Sequence, residues 1–273
     1  MPTSPLPLHS EALGRDGAPV VLLHGFGTNG YTWSRWAPKL SEEHRLHIVE
    51  MKGFGEAPKP RDHRYSPQHQ ADLLQRWILE NDLHDITLVG HSLGGGVALL
   101  TALRESKEAT RRIKRLVLVA SIAYPQPVPR ALRFLARPFL GPLALRLLPK
   151  KRVIRTALRM AYHPANPVSE SYVEAYARPL RTAEARQALS CSAAQLLPPG
   201  AESLAGEYRK IELPTLLLWG RQDRVVPTWV GERLSRELPE ARLEIVDECG
   251  HMPQEEKPAE SLERFRTFFL ETT

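Results

Sequence analysis

Short apolar runs of strand length alternate along this chain with longer segments whose apolar residues recur at helical spacing. The runs fall at residues 20–23, 45–49, 86–89, 116–119, 215–219 and 243–246. Continuous apolar and β-branched character over so short a span marks a strand buried on both faces. The helical segments are 33–40, a stretch from Ser66 to about Asn81, 97–103, 229–238 and 259–270. Ser66-Pro67 is a helix start, an N-cap followed by proline at the first helical position, and Leu73, Leu74, Trp77 and Ile78 then share one face. A further short strand is expected around residues 6–13.

The alternation stops at Tyr124 and resumes after Gly206. The intervening segment contains no convincing strand and carries prolines at 125, 127, 129, 138, 142, 149, 164, 167 and 179. It reads as a mostly helical insertion. Strands alternating with helices imply a parallel sheet covered on both faces. The expected architecture is therefore α/β: a mostly parallel central sheet flanked by helices, built from residues 1–123 and 206–273, with 124–205 as a helical cap. At 273 residues the chain can bury one large core.

Between the run at 86–89 and the helix at 97–103 sits Gly90-His91-Ser92-Leu93-Gly94. A strand that turns sharply into a helix strains the residue at the turn. It also needs small neighbours two positions before and after, because side chains there would strike the strand or the helix. Such a turn presents Ser92 at the C-terminal edge of the sheet. Three other stretches follow strands in the same way: His24-Gly25-Phe26-Gly27, Trp219 to Pro227 with Asp223 within it, and Gly250-His251-Met252-Pro253. A serine hydroxyl is a weak nucleophile until a base takes its proton, and a carboxylate must then hold that base in the right tautomer. His251 is the candidate base. Asp223 is the candidate acid, with Asp247, four residues before His251, as its rival.

With those four stretches in this order, the chain resembles the α/β-hydrolase superfamily over nearly its whole length outside the insertion. The resemblance implies a Ser92–Asp223–His251 triad. It also implies an oxyanion hole from the backbone N–H groups of Phe26 and Leu93, with Gly25 and His91 at the substrate. His24 is expected to orient its loop by a hydrogen bond. One departure stands out. The family's D-x-x-G-x-G-x-S loop reads Glu50-Met51-Lys52-Gly53-Phe54-Gly55-Glu56-Ala57 here, a variation in what should be a structural loop. A serine at the elbow, where the family's dehalogenases and epoxide hydrolases carry aspartate, argues against both activities.

Composition changes this picture in two places. The two cysteines, Cys191 and Cys249, are too few for a disulfide framework and lack zinc-ligand spacing, so no metal or other cofactor is implied. Cys249 reads as a small buried hydrophobe. The net charge of +6 is regional: between Glu108 and Glu170 there is no acidic residue but thirteen lysines and arginines, and the rest of the chain is net acidic. That argues for one cationic patch and against a protein that coats nucleic acid. Arg130, Arg133 and Arg137 are spaced to share a helical face, with Leu132, Leu135 and Phe139 turned away. A weak contact with anionic membranes through this cap is one expectation; a solvated face paired with acids elsewhere is the other. The chain shows no signal-peptide core and no apolar run near the ~20 residues of a membrane span, so a cytoplasmic location is expected.

The expected activity is hydrolysis of carboxylic esters of small to medium apolar acids. A thioesterase, lactonase, C–C bond hydrolase or cofactor-free haloperoxidase on the same triad stays open, as does a small-molecule receptor with vestigial turnover.

Overall fold

A computed structural model describes residues 7–108, 111–196, 203, 204 and 206–272. Seven strands form one sheet in the order β1-β3-β2-β4-β5-β6-β7. They are β1 (His9–Leu13), β2 (Pro19–Leu23), β3 (Arg45–Glu50), β4 (Ile86–His91), β5 (Ile113–Val119), β6 (Thr215–Gly220) and β7 (Ala241–Val246). All neighbours are parallel except β1, which runs antiparallel to β3 along the edge. The N-terminal part of the strand expected at 6–13 lies outside the described residues.

Two apolar cores sandwich the sheet, and successive strand residues feed them alternately, as the two-residue period of a strand requires. Val21 and Leu23 of β2 enter one core with Leu88 of β4 and Leu116 and Leu118 of β5. Val20 and Leu22 enter the other, with Val89, Val117 and Val119. The first core is closed by helices α2 (Pro67–Glu80) and α3 (Leu93–Glu105). The second is closed by Trp33, Trp36 and the C-terminal helix Pro258–Glu271. This two-sided burial is why the strands read as unbroken apolar runs.

The helix expected at 33–40 is divided. A 3₁₀ turn, Gly30–Trp33, is capped by Asn29, and α1 (Ala37–Leu40) restarts with Pro38 in its first turn. Proline lacks an N–H and is tolerated only there, so a continuous helix through residue 38 was not available. Between β5 and β6 lie helices α4 (Arg130–Leu135), α5 (Leu140–Leu147), α6 (Lys150–Ala161), α7 (Glu170–Ala177) and α8 (Ala183–Ala194). The last part of the expected 124–205 insertion, residues 197–202 and 205, lies outside the described residues. The cationic run also divides. Arg112 pairs with Asp82 at 3.1 Å and Arg115 is buried, donating to the Thr272 carbonyl at 2.7 Å. Both therefore belong to the core.

Chain direction across the sheet reverses between β2 and β4. From β2 the chain steps outward to β3; from β4 it steps the other way to β5. Open α/β sheets bind ligands in the crevice that such a reversal leaves at the C-terminal strand ends. Here Leu23 and Gly90 are register partners at that edge, so the loop at 24–27 and the turn at Ser92 face each other. Among the described residues, no helix is long and apolar enough to cross a membrane.

Candidate active site

β4 ends at His91 and α3 begins at Leu93, so the whole change of direction falls on Ser92. Its φ of 52° and ψ of −114° are unusual for a residue with a side chain. Such strain costs roughly 1–3 kcal/mol and persists only when neighbours over-determine it. They do: Ser92 N–H donates to the Val119 carbonyl at 2.9 Å, and the Ser92 carbonyl accepts from Gly96 and Ile122 at 3.1 and 3.2 Å. A Cβ at Gly94 would collide with the His24 carbonyl oxygen. Glycine there lets the first turn of α3 rest on the end of β2.

The backbone N–H groups of Phe26 and Leu93 are close by this construction, and among the described residues neither donates to a protein acceptor. For Leu93 this follows from its place as the first residue of a helix, whose leading N–H groups have no partner within it. Gly25 permits the approach, since a Cβ there would stand 2.6 Å from His91 Nδ1 and 3.2 Å from Ser92 Cβ. His24 holds the loop from below. Its Nε2 accepts from the Met51 N–H at 3.1 Å, which leaves Nδ1 to donate to the Gly25 carbonyl at 2.8 Å. Burial lowers its pKa, so the ring stays neutral and keeps both bonds.

His251 Nδ1 lies 2.8 Å from Asp223 Oδ2, with both side chains buried. The other carboxylate oxygen of Asp223 accepts from the Val225 and Val226 N–H groups at 2.7 and 2.9 Å, so the acid is held at both ends. Asp247 is 70% exposed and paired with Arg221 on the surface, away from the imidazole. The Ser92 hydroxyl and the His251 ring are not hydrogen-bonded to each other. Such bonds are commonly long before substrate arrives and tighten with it.

His91 differs from expectation. It is buried, its Nε2 donates to the His251 carbonyl at 2.9 Å, and its ring centroid lies 4.8 Å from that of His251. It braces the histidine loop against the elbow and does not face open space for a substrate. Glu50, the longer acid at the start of the loop after β3, accepts from the Gly30 N–H at 2.9 Å and the Glu56 N–H at 2.6 Å. The loop is structural. Cys249 is fully buried.

The inserted helices reach the same place. The His251 N–H donates to the Ala161 carbonyl at the end of α6 (2.7 Å), and Arg224 donates to the Tyr162 carbonyl at 3.0 Å. Leu189 of α8 lies 3.8 Å from where a Cβ of Gly27 would be. A shallow, open cleft lined by Gly96, Leu100, Ile122, Tyr124, Leu204 and Tyr208 among others borders the elbow one turn down α3. Ser92, Asp223 and His251 do not line it.

Sequence reading missed Glu255. Its buried carboxylate accepts from Thr32 Oγ1 at 2.5 Å, Tyr162 Oη at 2.5 Å and Tyr176 Oη at 2.6 Å. It thereby ties the insertion to the core four residues from His251. The partners are 93 and 79 residues away for the tyrosines, and no local pattern links them. Burial pushes the Glu255 carboxyl up to about 7 from an ordinary 4.5, although the three hydroxyls favour its anion. The fold thus prefers the neutral acid. Stability from this group is complete below the ordinary carboxylate range and is lost as pH rises through about 7. Glu255→Gln removes that dependence. Denaturant titrations should show wild type losing on the order of 2–3 kcal/mol relative to the variant between about pH 5 and about pH 8. A constant difference between the two proteins would refute the assignment.

The family model described as alpha/beta hydrolase fold matches residues 18–258. The chain is 30% identical over 271 residues to the 2-hydroxymuconate semialdehyde hydrolase of Pseudomonas putida, covering 94% of this chain and 86% of that one. It is 29% identical over 255 residues to Lipase 3 of Moraxella sp. (strain TA144), covering 92% and 77%. The crystal structure of an alpha/beta hydrolase fold protein from Burkholderia ambifaria superposes with a TM-score of 0.82 at 25% identity, covering 94% of this chain and 93% of that one. With the family model matching most of its length, the chain belongs to the alpha/beta hydrolase fold family.

Proposed function

We propose that the protein is a serine hydrolase that cleaves carboxylic esters of small to medium apolar acids through an acyl-enzyme intermediate, with residues 124–205 as a cap over the site. What supports this most is the convergence at one sheet edge of a strained serine, a carboxylate-backed imidazole and two N–H groups without protein acceptors among the described residues. Ser92 Oγ attacks the acyl carbon while His251 Nε2 takes its proton. Asp223 holds the Nδ1–H and stabilises the imidazolium. The tetrahedral oxyanion accepts from the Phe26 and Leu93 N–H groups, which lie at the positive end of α3. The C–O bond then breaks, the alcohol leaves with the proton from His251, and water repeats the sequence to release the acid and restore Ser92. Phe26, and Leu189 beside Gly27, offer apolar surface next to the oxyanion loop for the acyl part.

A second reading, cleavage of a carbon–carbon bond by the same groups, draws on the relative named as a 2-hydroxymuconate semialdehyde hydrolase. A panel of p-nitrophenyl esters of rising acyl length, run beside a 2-hydroxy-6-oxo-dienoate, separates the two. Sustained multiple turnover of the short and medium esters is expected, with the dienoate turned over far more slowly. Preference for the dienoate would replace the ester reading with the second one.

A further inference from the structure

Helix α5 carries apolar residues on two opposite faces. Gly141 and Leu145, four residues apart, are buried against the rest of the protein. Leu140, Leu143 and Leu147 follow one another at helical spacing on the other side, and all three are exposed, Leu143 by 49% and Leu147 by 73%. Phe139, just before the helix, is 85% exposed. A helix apolar on both sides has two surfaces to bury, and the fold covers one of them.

This stripe is bordered by positive charge. The face expected to join Arg130, Arg133 and Arg137 is interrupted: α4 ends at Leu135, Pro138 follows, and Arg137 sits in the turn before α5. The break is what turns Phe139 outward instead of inward. Arg130, Arg133, Arg137, Arg146 and Arg152 are exposed, and none forms an ion pair with a carboxylate among the described residues. By contrast, Lys151 and Arg155 of α6 are neutralised by Glu174 and Glu170.

We propose that the α4–α5 corner, with the start of α6, is a docking surface for anionic lipid bilayers. Exposed leucines and a phenylalanine enter the headgroup boundary while the arginines meet lipid phosphates, the combination that holds an amphipathic helix in an interface plane. Charge decides against a second copy of this chain as the occupant, because symmetric pairing would set one group of unpaired arginines against another. The proposal concerns where the protein resides and is independent of the reaction at Ser92.

Co-sedimentation with vesicles tests it. Wild type is expected to bind phosphatidylcholine vesicles containing about a third phosphatidylglycerol, to ignore pure phosphatidylcholine, and to release in about 0.5 M salt. Each cation near such a surface strengthens binding about fivefold. Arg130→Gln, Arg133→Gln and Arg146→Gln together should weaken binding about 100-fold. Phe139→Ser with Leu147→Ser should also weaken it. Because these side chains are exposed, both variants should melt as wild type does and turn over a short soluble ester equally well. Absence of binding at low salt, or equal binding to neutral vesicles, would overturn the proposal. So would self-association that the Phe139/Leu147 variant abolishes, or capture by polyglutamate but not by vesicles. These last two would point to a second copy and to an acidic protein partner.

Discussion

Ser92→Ala is expected to abolish fluorophosphonate labelling and to lower ester turnover by roughly six orders of magnitude. Among the described residues no neighbour hydrogen-bonds the hydroxyl, and alanine carries the same Cβ into the same backbone geometry. The variant should therefore fold and melt like wild type. A residual acceleration of about 10³–10⁴ over water would come from the Phe26 and Leu93 N–H groups and from substrate binding. Intact-mass spectrometry after labelling checks the first outcome and steady-state kinetics the second. Labelling at another serine, with turnover retained in Ser92→Ala, would remove Ser92 from the mechanism.

Asp223→Asn should be nearly as damaging in kcat, by roughly 10⁴, with the fold intact. The amide retains one oxygen for the Val225 and Val226 N–H groups that Asp223 Oδ1 now engages. Its NH₂ then faces His251 Nδ1 and forces the imidazole into the tautomer that carries a proton on Nε2. That nitrogen can no longer accept from Ser92. Asp247→Asn removes only an exposed pair with Arg221, and exposed pairs contribute about 0–1 kcal/mol to stability. Its kcat should stay within a few-fold of wild type. A larger loss in Asp247→Asn than in Asp223→Asn would exchange the roles of the two acids.

Much of this was legible in the residues because its causes are local. A strand buried on both faces must be apolar throughout, so β2, β4, β5 and β6 stand out as runs, each within a few residues of its observed limits. The elbow is legible for the same reason. A turn that places Ser92 at positive φ against the end of β2 allows no side chain at Gly94. Proline at 138 and the C-cap at Ala136 are equally local, yet the spacing of the arginines suggested a face that the break removes. Periodicity describes a helix only as long as the helix continues.

Other features were decided only by tertiary structure. Sequence order makes Asp247 the nearer acid to His251, but the loop after β6 brings Asp223 to Nδ1 and leaves Asp247 in solvent. His91 belongs to the serine motif by sequence, and the fold spends it on the His251 carbonyl. Glu255, Tyr162 and Tyr176 meet because α6 and α7 fold back over the histidine loop. The residues alone determine which segments bury and where backbone strain requires glycine, since burial and sterics act along the chain. Which distant polar groups satisfy one another is set by how the helices pack, because a hydrogen bond depends on approach within about 3 Å and carries no trace in sequence spacing.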